Sequence, residues 1–194
     1  MDTTEADALD RADMVRLQRG HDAALNDLMG RHATAVFHFL CRMLNNEDDA
    51  NDLAQETFVR VFRAKASYRP EQRFSTWLFT IAANLARNQI RWRTRHPNVS
   101  LNAESDQTEH TLGDTLVSDG PTPKEQALTT ERAAAVRAAV NELPGEMREA
   151  IVLCEWEERS VVDAAAIIGA TPKAVESRLY RARQIRRSEL KQWL

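Results

Sequence analysis

Asn84, Arg87, Asn88 and Arg91 are the first residues in this sequence whose types and spacing suggest chemistry. At 3.6 residues per turn they share one strip of a single helix. Guanidinium and carboxamide groups in such a row offer planar donors and paired donor–acceptor edges, the chemistry that binds phosphates and reads bases. Just upstream, Tyr68, Arg69, Arg73 and Phe74 bring aromatic rings and cations together, a combination suited to holding unstacked bases. A second polar set, Thr171, Lys173, Ser177, Arg178 and Arg181, lies on a segment whose Val175, Leu179 and Ala182 share another face. A third set is acidic. In DDANDLAQETF, Asp49, Asp52 and Glu56 fall on one face, opposite Ala54, Phe58 and Val61. Taken alone, these are acids favoured by a helix dipole and by solvent; facing a basic protein, they would form a dock.

The remaining polar residues argue against catalysis. The five histidines are scattered without ligand spacing, and no nucleophile–base pair or phosphate loop occurs. No cofactor or metal is therefore expected, and the chain does not read as an enzyme. Cys41 and Cys154 each sit in an apolar helical pattern and read as two buried thiols. No apolar run approaches the roughly 20 residues needed to span a bilayer. The acidic start MDTTEADALD lacks a signal-peptide pattern, so a cytoplasmic location without membrane insertion is expected.

The net charge of −3 conceals a segregation along the 194 residues. Acids outnumber bases 12 to 5 from Met1 to Val59, whereas Arg60 to Arg95 holds nine bases against Glu71 alone. Pro97 to Pro123 contains no Lys or Arg, and Thr171 to Leu194 has seven bases against Glu176 and Glu189. Two basic patches separated by an acidic segment form a nucleic-acid footprint that the overall charge hides.

The elements that must position these groups read as helices throughout. Few glycines and prolines, with abundant Ala, Leu, Arg and Glu, favour an all-α chain. A short helix runs from Leu9 to Arg19 and ends at Gly20; Asp22 caps a longer one carrying Leu25, Leu28, Val36, Phe39, Leu40 and Met43. After the Asn45-Asn46 turn, a third helix starts with Asp49 and Asp52 as its capping pair. Ser75 caps the next. That helix carries Phe74, Trp77, Leu78, Ile81 and Leu85 on one side and Phe79, Ala82, Ala83, Ala86 and Ile90 on much of the other. It is predicted to lie mid-bundle, with its narrow polar strip facing out. Trp92 and Arg95 read as the margin of that strip, nearer packing and phosphate than base recognition. Residues 97–123 read as a flexible linker with one weak turn around Leu112 to Val117. A helix over Lys124 to Asn141 follows, then one started by Pro144, then a short one capped by Ser160. Gly169 allows a tight turn, and Thr171-Pro172 opens the last helix. A short helix, a tight turn and a second helix with a polar N-terminal half describe a helix-turn-helix.

Three stretches together, DDANDLAQETFVRVF, YRPEQRFSTWLFTIAANLARNQIRWRTRH and LPGEMREAIVLCEWEERSVVDAAAIIGATPKAVESRLYRARQIRR, closely resemble the extracytoplasmic-function class of bacterial sigma factors. The resemblance covers nearly the whole chain outside the linker. It implies an N-terminal helical domain over 1–96 that docks on core RNA polymerase and opens the minus-ten element. It also implies a linker over 97–123 and a C-terminal helix-turn-helix domain over 124–194 that reads the minus-thirty-five element. By position, Asp49, Asp52, Gln55 and Glu56 correspond to the surface that meets the clamp helices of the polymerase β′ subunit, with the β subunit a further partner. Tyr68 to Arg73 corresponds to the loop that holds the melted non-template strand. Asn84, Arg87, Asn88 and Arg91 fall on the minus-ten helix, and Thr171, Lys173, Ser177, Arg178 and Arg181 on the helix that reads upstream duplex. The acidic linker resembles the connector threaded through the polymerase's nucleic-acid channel. Many relatives are held inactive by an anti-sigma factor, a partner the resemblance allows without identifying one. Two places depart from the family pattern: Glu176 stands where lysine is frequent, and VVDAAAI replaces a Tyr-Glu-Glu-Ile-Ala-type stretch, which should loosen the support helix. The residues alone also admit a free-standing helix-turn-helix regulator with an N-terminal sensing or dimerising domain. A free regulator, however, has no use for an acidic polymerase dock.

Overall fold

Helix α1 (Thr3–Gln18) begins well before Leu9, and its first turns hold only alanine as apolar residues, with no large side chain to mark a period. The computed structural model to which it belongs describes residues 3–96 and 135–189, and no strand occurs among them. Met14 and Leu17 are fully buried, and Gly20, at φ +90°, turns the chain in the left-handed region that favours glycine. Helix α2 (Ala24–Leu44) buries Leu28, Val36, Phe39, Leu40 and Met43, the apolar spacing of its sequence. Asp22 does not cap it. The N-cap is Ala23, and the Asp22 carboxylate instead lies 3.0 Å from Lys65 Nζ. Asn45, at φ +50°, ends the helix and donates its N–H to the Cys41 carbonyl.

Helix α3 (Glu47–Arg63) is capped by Asn46, whose Oδ1 accepts the Asp49 N–H at 2.7 Å. The cap thus lies three residues before the expected one, which frees the Asp49 carboxylate for another use. Helix α4 (Phe74–Arg95) follows a one-turn 3-10 segment, Lys65–Ser67. Its N-cap is Arg73, not Ser75, which is buried inside the first turn. As expected, α4 is buried on two sides: Phe74, Leu78, Phe79, Ala82, Ala83, Leu85 and Ala86 all enter the core. Phe39 of α2 meets Phe79 edge-on, with ring centres 5.4 Å apart.

The C-terminal unit starts, in its described part, with helical residues 135–141 (α5). Pro144 leads into α6 (Gly145–Ile151), which widens into a π-helical turn over Val152–Trp156, a feature with no signature in the apolar period. Helix α7 (Val161–Ile168) is capped by Ser160, whose Oγ accepts the Asp163 N–H at 3.0 Å, and is closed by Gly169 at φ +74°. Helix α8 (Pro172–Glu189) is capped by Thr171, whose Oγ1 accepts the Ala174 N–H at 3.2 Å. Ala164, Ala165 and Ile167 join Val175, Leu179 and Ala182 in the core, so the expected helix-turn-helix is present. Of its three alanines, Ala164 and Ala165 are buried and Ala166 is exposed. The chain is thus all-α, with two small helical units.

The units touch. Helix α7 packs on α4, and the π turn and α6 pack on α2. Arg42 pairs with Glu157 at 3.0 Å, and the Arg159 guanidinium lies 4.4 Å from the Phe79 ring centre. Arg148 donates to the carbonyls of Val140 and Met43, bridging the end of α2 to the end of α5. Within the N-terminal unit, Asp10 is 1 % exposed and receives Arg31 at 2.8 Å and His32 at 2.7 Å. Burial alone would raise its pKa, but His32 and Arg31 outweigh that and hold it below the ordinary value. Both cysteines are free and half-buried rather than fully buried, and burial raises both thiol pKa values, Cys41 to about 11. The linker 97–123, its turn at Leu112 to Val117, and the helix expected from Lys124 up to residue 134 lie outside the described residues.

Candidate nucleic-acid interface

The strip on α4 is ordered by its own side chains. Arg87 Nη2 donates to Asn84 Oδ1 at 2.6 Å, and Arg91 Nη2 to Asn88 Oδ1 at 2.6 Å. Each asparagine thus orients the guanidinium one turn further on, limiting the side-chain entropy lost when a phosphate or base edge binds. Arg91 and Arg95 also donate to the carbonyls of Arg87 and Arg91, both at 3.3 Å. Trp92 is 40 % exposed and stacks on His96, with centres 5.0 Å apart, so it is more open than a packing residue at the margin would be.

The loop before α4 separates into a floor and a rim. Tyr68 is only 3 % exposed, its ring lies among Phe74 and Trp77, and its hydroxyl donates to the Gln72 carbonyl at 2.8 Å. It offers no free face for a base in this arrangement. Burial raises the Tyr68 pKa, which keeps the phenol protonated as that donor. Arg69 and Arg73 form the exposed rim, and Arg73 Nε sits 3.0 Å from Asp7.

The acidic strip on α3 also divides. Asp49 faces α4, where Gln89 Nε2 donates to its Oδ2 at 2.8 Å and Arg93 pairs with the same oxygen. Glu56 holds Arg60 at 2.8 Å one turn along. Asp52 and Gln55 are exposed, and neither side chain has a partner among the described residues. Sequence spacing alone could not distinguish Asp49 from them, because the distinction depends on where α4 lies.

On α8, Lys173, Ser177 and Arg181 are exposed, as is Glu176 between them. Thr171 is occupied as the helix cap, and Arg178 is turned toward α6, with Nη2 2.7 Å from Glu146. Sequence reasoning missed a group of residues where the two units meet. Arg87 Nη1 donates to the Ile168 carbonyl at 3.0 Å and lies 3.8 Å from Glu149 Oε1. Glu149 is 3 % exposed; burial pushes its pKa up to about 7 against the pull of Arg87 and Arg178. Asp163, visible in the sequence only as a departure from the family pattern, accepts Thr76 Oγ1 at 3.3 Å and lies 3.5 Å from Arg73.

A helical unit with an arginine–asparagine strip, carried beside a helix-turn-helix, defines the class of DNA-binding proteins and gives it two candidate surfaces. Each surface lies within a matching family model. Sigma-70 region 2 matches residues 28–96 and Sigma-70 region 4 matches residues 133–185. The chain belongs to the extracytoplasmic-function group of the sigma-70 family. It is similar to the RNA polymerase sigma-H factor of Pseudomonas aeruginosa, at 32 % identity over 87 % of each chain. It is likewise similar to the ECF RNA polymerase sigma-E factor of Haemophilus influenzae, at 34 % identity over 91 % of this chain and 92 % of that one. Among solved structures, CnrH in complex with the cytosolic domain of CnrY superposes with a TM-score of 0.70 at 26 % identity, over 95 % of this chain and 98 % of CnrH. The sigma factor RpoE of Bartonella quintana, in complex with the anti-sigma factor NepR, gives 0.66 at 26 % identity, over 87 % and 98 %. The protein is therefore an alternative sigma factor that binds core RNA polymerase and directs promoter-specific initiation. Its family is not one of catalytic enzymes. A free-standing regulator would not match a sigma-factor model in each of its two units.

Proposed function

We propose that this sigma factor divides promoter recognition among three surfaces and contributes no catalysis of its own. Asp52 and Gln55 dock on the β′ clamp, with Glu56 completing the strip and Asp49 holding α3 against α4. The rim formed by Arg69 and Arg73 meets the melted non-template strand, with Tyr68 as its floor. Asn84, Arg87, Asn88 and Arg91 read the minus-ten element. Lys173, Ser177, Arg178 and Arg181 contact the minus-thirty-five duplex, with Thr171 fixing the start of the helix that carries them. The corresponding domains are 1–96 and 124–194, with 97–123 as the acidic connector, and the chain works in the cytoplasm with the polymerase. Two structural relatives are recorded with protein partners, one of them described as an anti-sigma factor, and an inhibitor of that class is proposed here too.

The observation that carries this reading is the pair of 2.6 Å arginine–asparagine bonds that order the α4 strip before DNA arrives. The test is open-complex formation with purified bacterial core polymerase on a promoter library. Asp52→Arg should abolish core binding while leaving helix content intact. Asn88→Ala should change base preference in the downstream element, and Arg181→Ala should do so upstream. A uniform loss over all sequences would reduce these residues to phosphate contacts. Tight dimeric binding to duplex DNA without polymerase would overturn the reading.

A further inference from the structure

One carboxylate stands on the outer face of α8, among the cations. Val175, Leu179 and Ala182 enter the core, whereas Lys173, Glu176, Ser177, Tyr180 and Arg181 are exposed. At 3.6 residues per turn, Glu176 lies one turn from both Lys173 and Tyr180. Two other glutamates beside α8 are engaged: Glu146 holds Arg178 at 2.7 Å, and Glu155 holds both Arg183 and Arg186. The Glu176 side chain has no ion pair or hydrogen bond among the described residues, although Lys173 is within a turn of it.

A carboxylate in that place is repelled by the phosphates of any duplex that α8 enters. Base edges differ from phosphates. In the major groove guanine offers the acceptors N7 and O6, thymine offers O4, and adenine sets its N7 acceptor beside its N6 donor. Cytosine presents the N4 amino donor alone. A carboxylate only accepts, so cytosine is the base whose edge it fits. Position favours the same contact. Glu176 is in the first turns of α8, and the N-terminal residues of a recognition helix are those that reach base edges. One turn on, the Tyr180 ring is 66 % exposed and offers apolar contact to the C5 edge of a pyrimidine.

Resting on the assignment of α8 to the minus-thirty-five duplex, we infer that Glu176 is a specificity-determining residue: its carboxylate accepts the N4 amino group of a cytosine on one strand of that element. The same charge disfavours the other three bases there, so Glu176 gives up phosphate affinity for selectivity.

The test is open-complex formation by the full chain with core polymerase, on promoters with a randomised minus-thirty-five element and a fixed downstream element. The wild-type chain should favour cytosine at one position by about fivefold or more over each other base. Glu176→Ala should remove that preference at that position alone. Glu176→Gln, which donates as well as accepts, should shift it toward adenine. Glu176 is exposed, so both variants should keep the wild-type helix content. The inference is overturned if the wild-type chain favours cytosine at no position. It is overturned equally if Glu176→Ala keeps the cytosine preference while raising open-complex formation on every sequence alike, as loss of simple repulsion would. The assignment of α8 fails separately, if Lys173→Ala and Arg181→Ala leave both the level of open complex and the base preference unchanged.

Discussion

Glu149→Gln should make the protein more stable at pH 8 and leave it nearly unchanged at pH 4. The carboxyl is 3 % exposed, and burial raises its pKa from 4.5 to about 7 even though Arg87 and Arg178 pull the other way. Arg87 is a weak counter-charge at 3.8 Å, because it spends its own hydrogen bonds on Ile168 and Asn84. The sign follows from proton binding. Below pH 4.5 the group is protonated in both states and burial carries no charge penalty. Between pH 4.5 and 7 the unfolded chain ionises first, so stability falls as pH rises; above 7 the penalty is complete. An increase from 4.5 to about 7 is worth about 3 kcal/mol, to order of magnitude. Glutamine keeps the shape without ionising, so the stability difference should grow by about that amount between pH 4 and pH 8. Urea unfolding of both chains across that range measures it, and the difference between them cancels every other titrating group. A difference that stays constant with pH would refute the reasoning, as would a variant less stable than wild type at pH 8. Arg87→Ala should carry the fall in stability to higher pH and enlarge it, since it removes the larger of the two attractions that oppose burial.

Substitutions at three other positions test the fold. Asp10→Asn leaves His32 facing a neutral partner and Arg31 paired with Asp13 alone, and should cost about 2–4 kcal/mol at pH 7 by chemical denaturation. Because Asp10 is held below its ordinary pKa, its contribution is present above that value and lost as the solution is acidified through the lowered one, so the cost should shrink in acid. Tyr68→Phe removes the bond to Gln72 and should cost about 1 kcal/mol, whereas Tyr68→Ala empties a core position and should cost about 3–5 kcal/mol. A stability-neutral Tyr68→Ala would return that ring to the surface. Gly169→Ala should destabilise the fold through conformation alone, by about 1 kcal/mol, and so lower the melting temperature, since φ is +74° and nothing lies within 4 Å of an added Cβ.

The helices were legible because each carries a period that only one face can satisfy. The two-sided burial of α4 followed from angles alone, and so did the polar strip between its apolar faces. Ser160, Gly169 and Thr171 could be placed because capping and left-handed turns depend on residues a few positions apart. Where two neighbouring residues compete for one cap, local rules fail. Asn46 outcompeted Asp49, and Asp22 gave up its helix for Lys65, in each case because a distant helix offered the spare carboxylate a cation. The same limit hid the role of Tyr68. Aromatic and cationic residues side by side in a loop suggest a base-binding surface, yet the ring turns inward because Phe74 and Trp77 give it more apolar contact than solvent does.

The meeting of the two units was not legible at all, since nothing in residues 74–95 or 160–172 announces a partner so far along the chain. Arginine suits that meeting for the reason it suits DNA. Arg87 directs one terminal nitrogen to Ile168 and the other to Asn84, using two prongs of one planar fork. Parting the units gives up the bond to Ile168 while the bond to Asn84 keeps the side chain aimed. A single hydrogen bond to a charged donor is worth about 1.5–3 kcal/mol, and an incoming phosphate can return it. Arg87 could therefore exchange the Ile168 carbonyl for a phosphate without changing where it points.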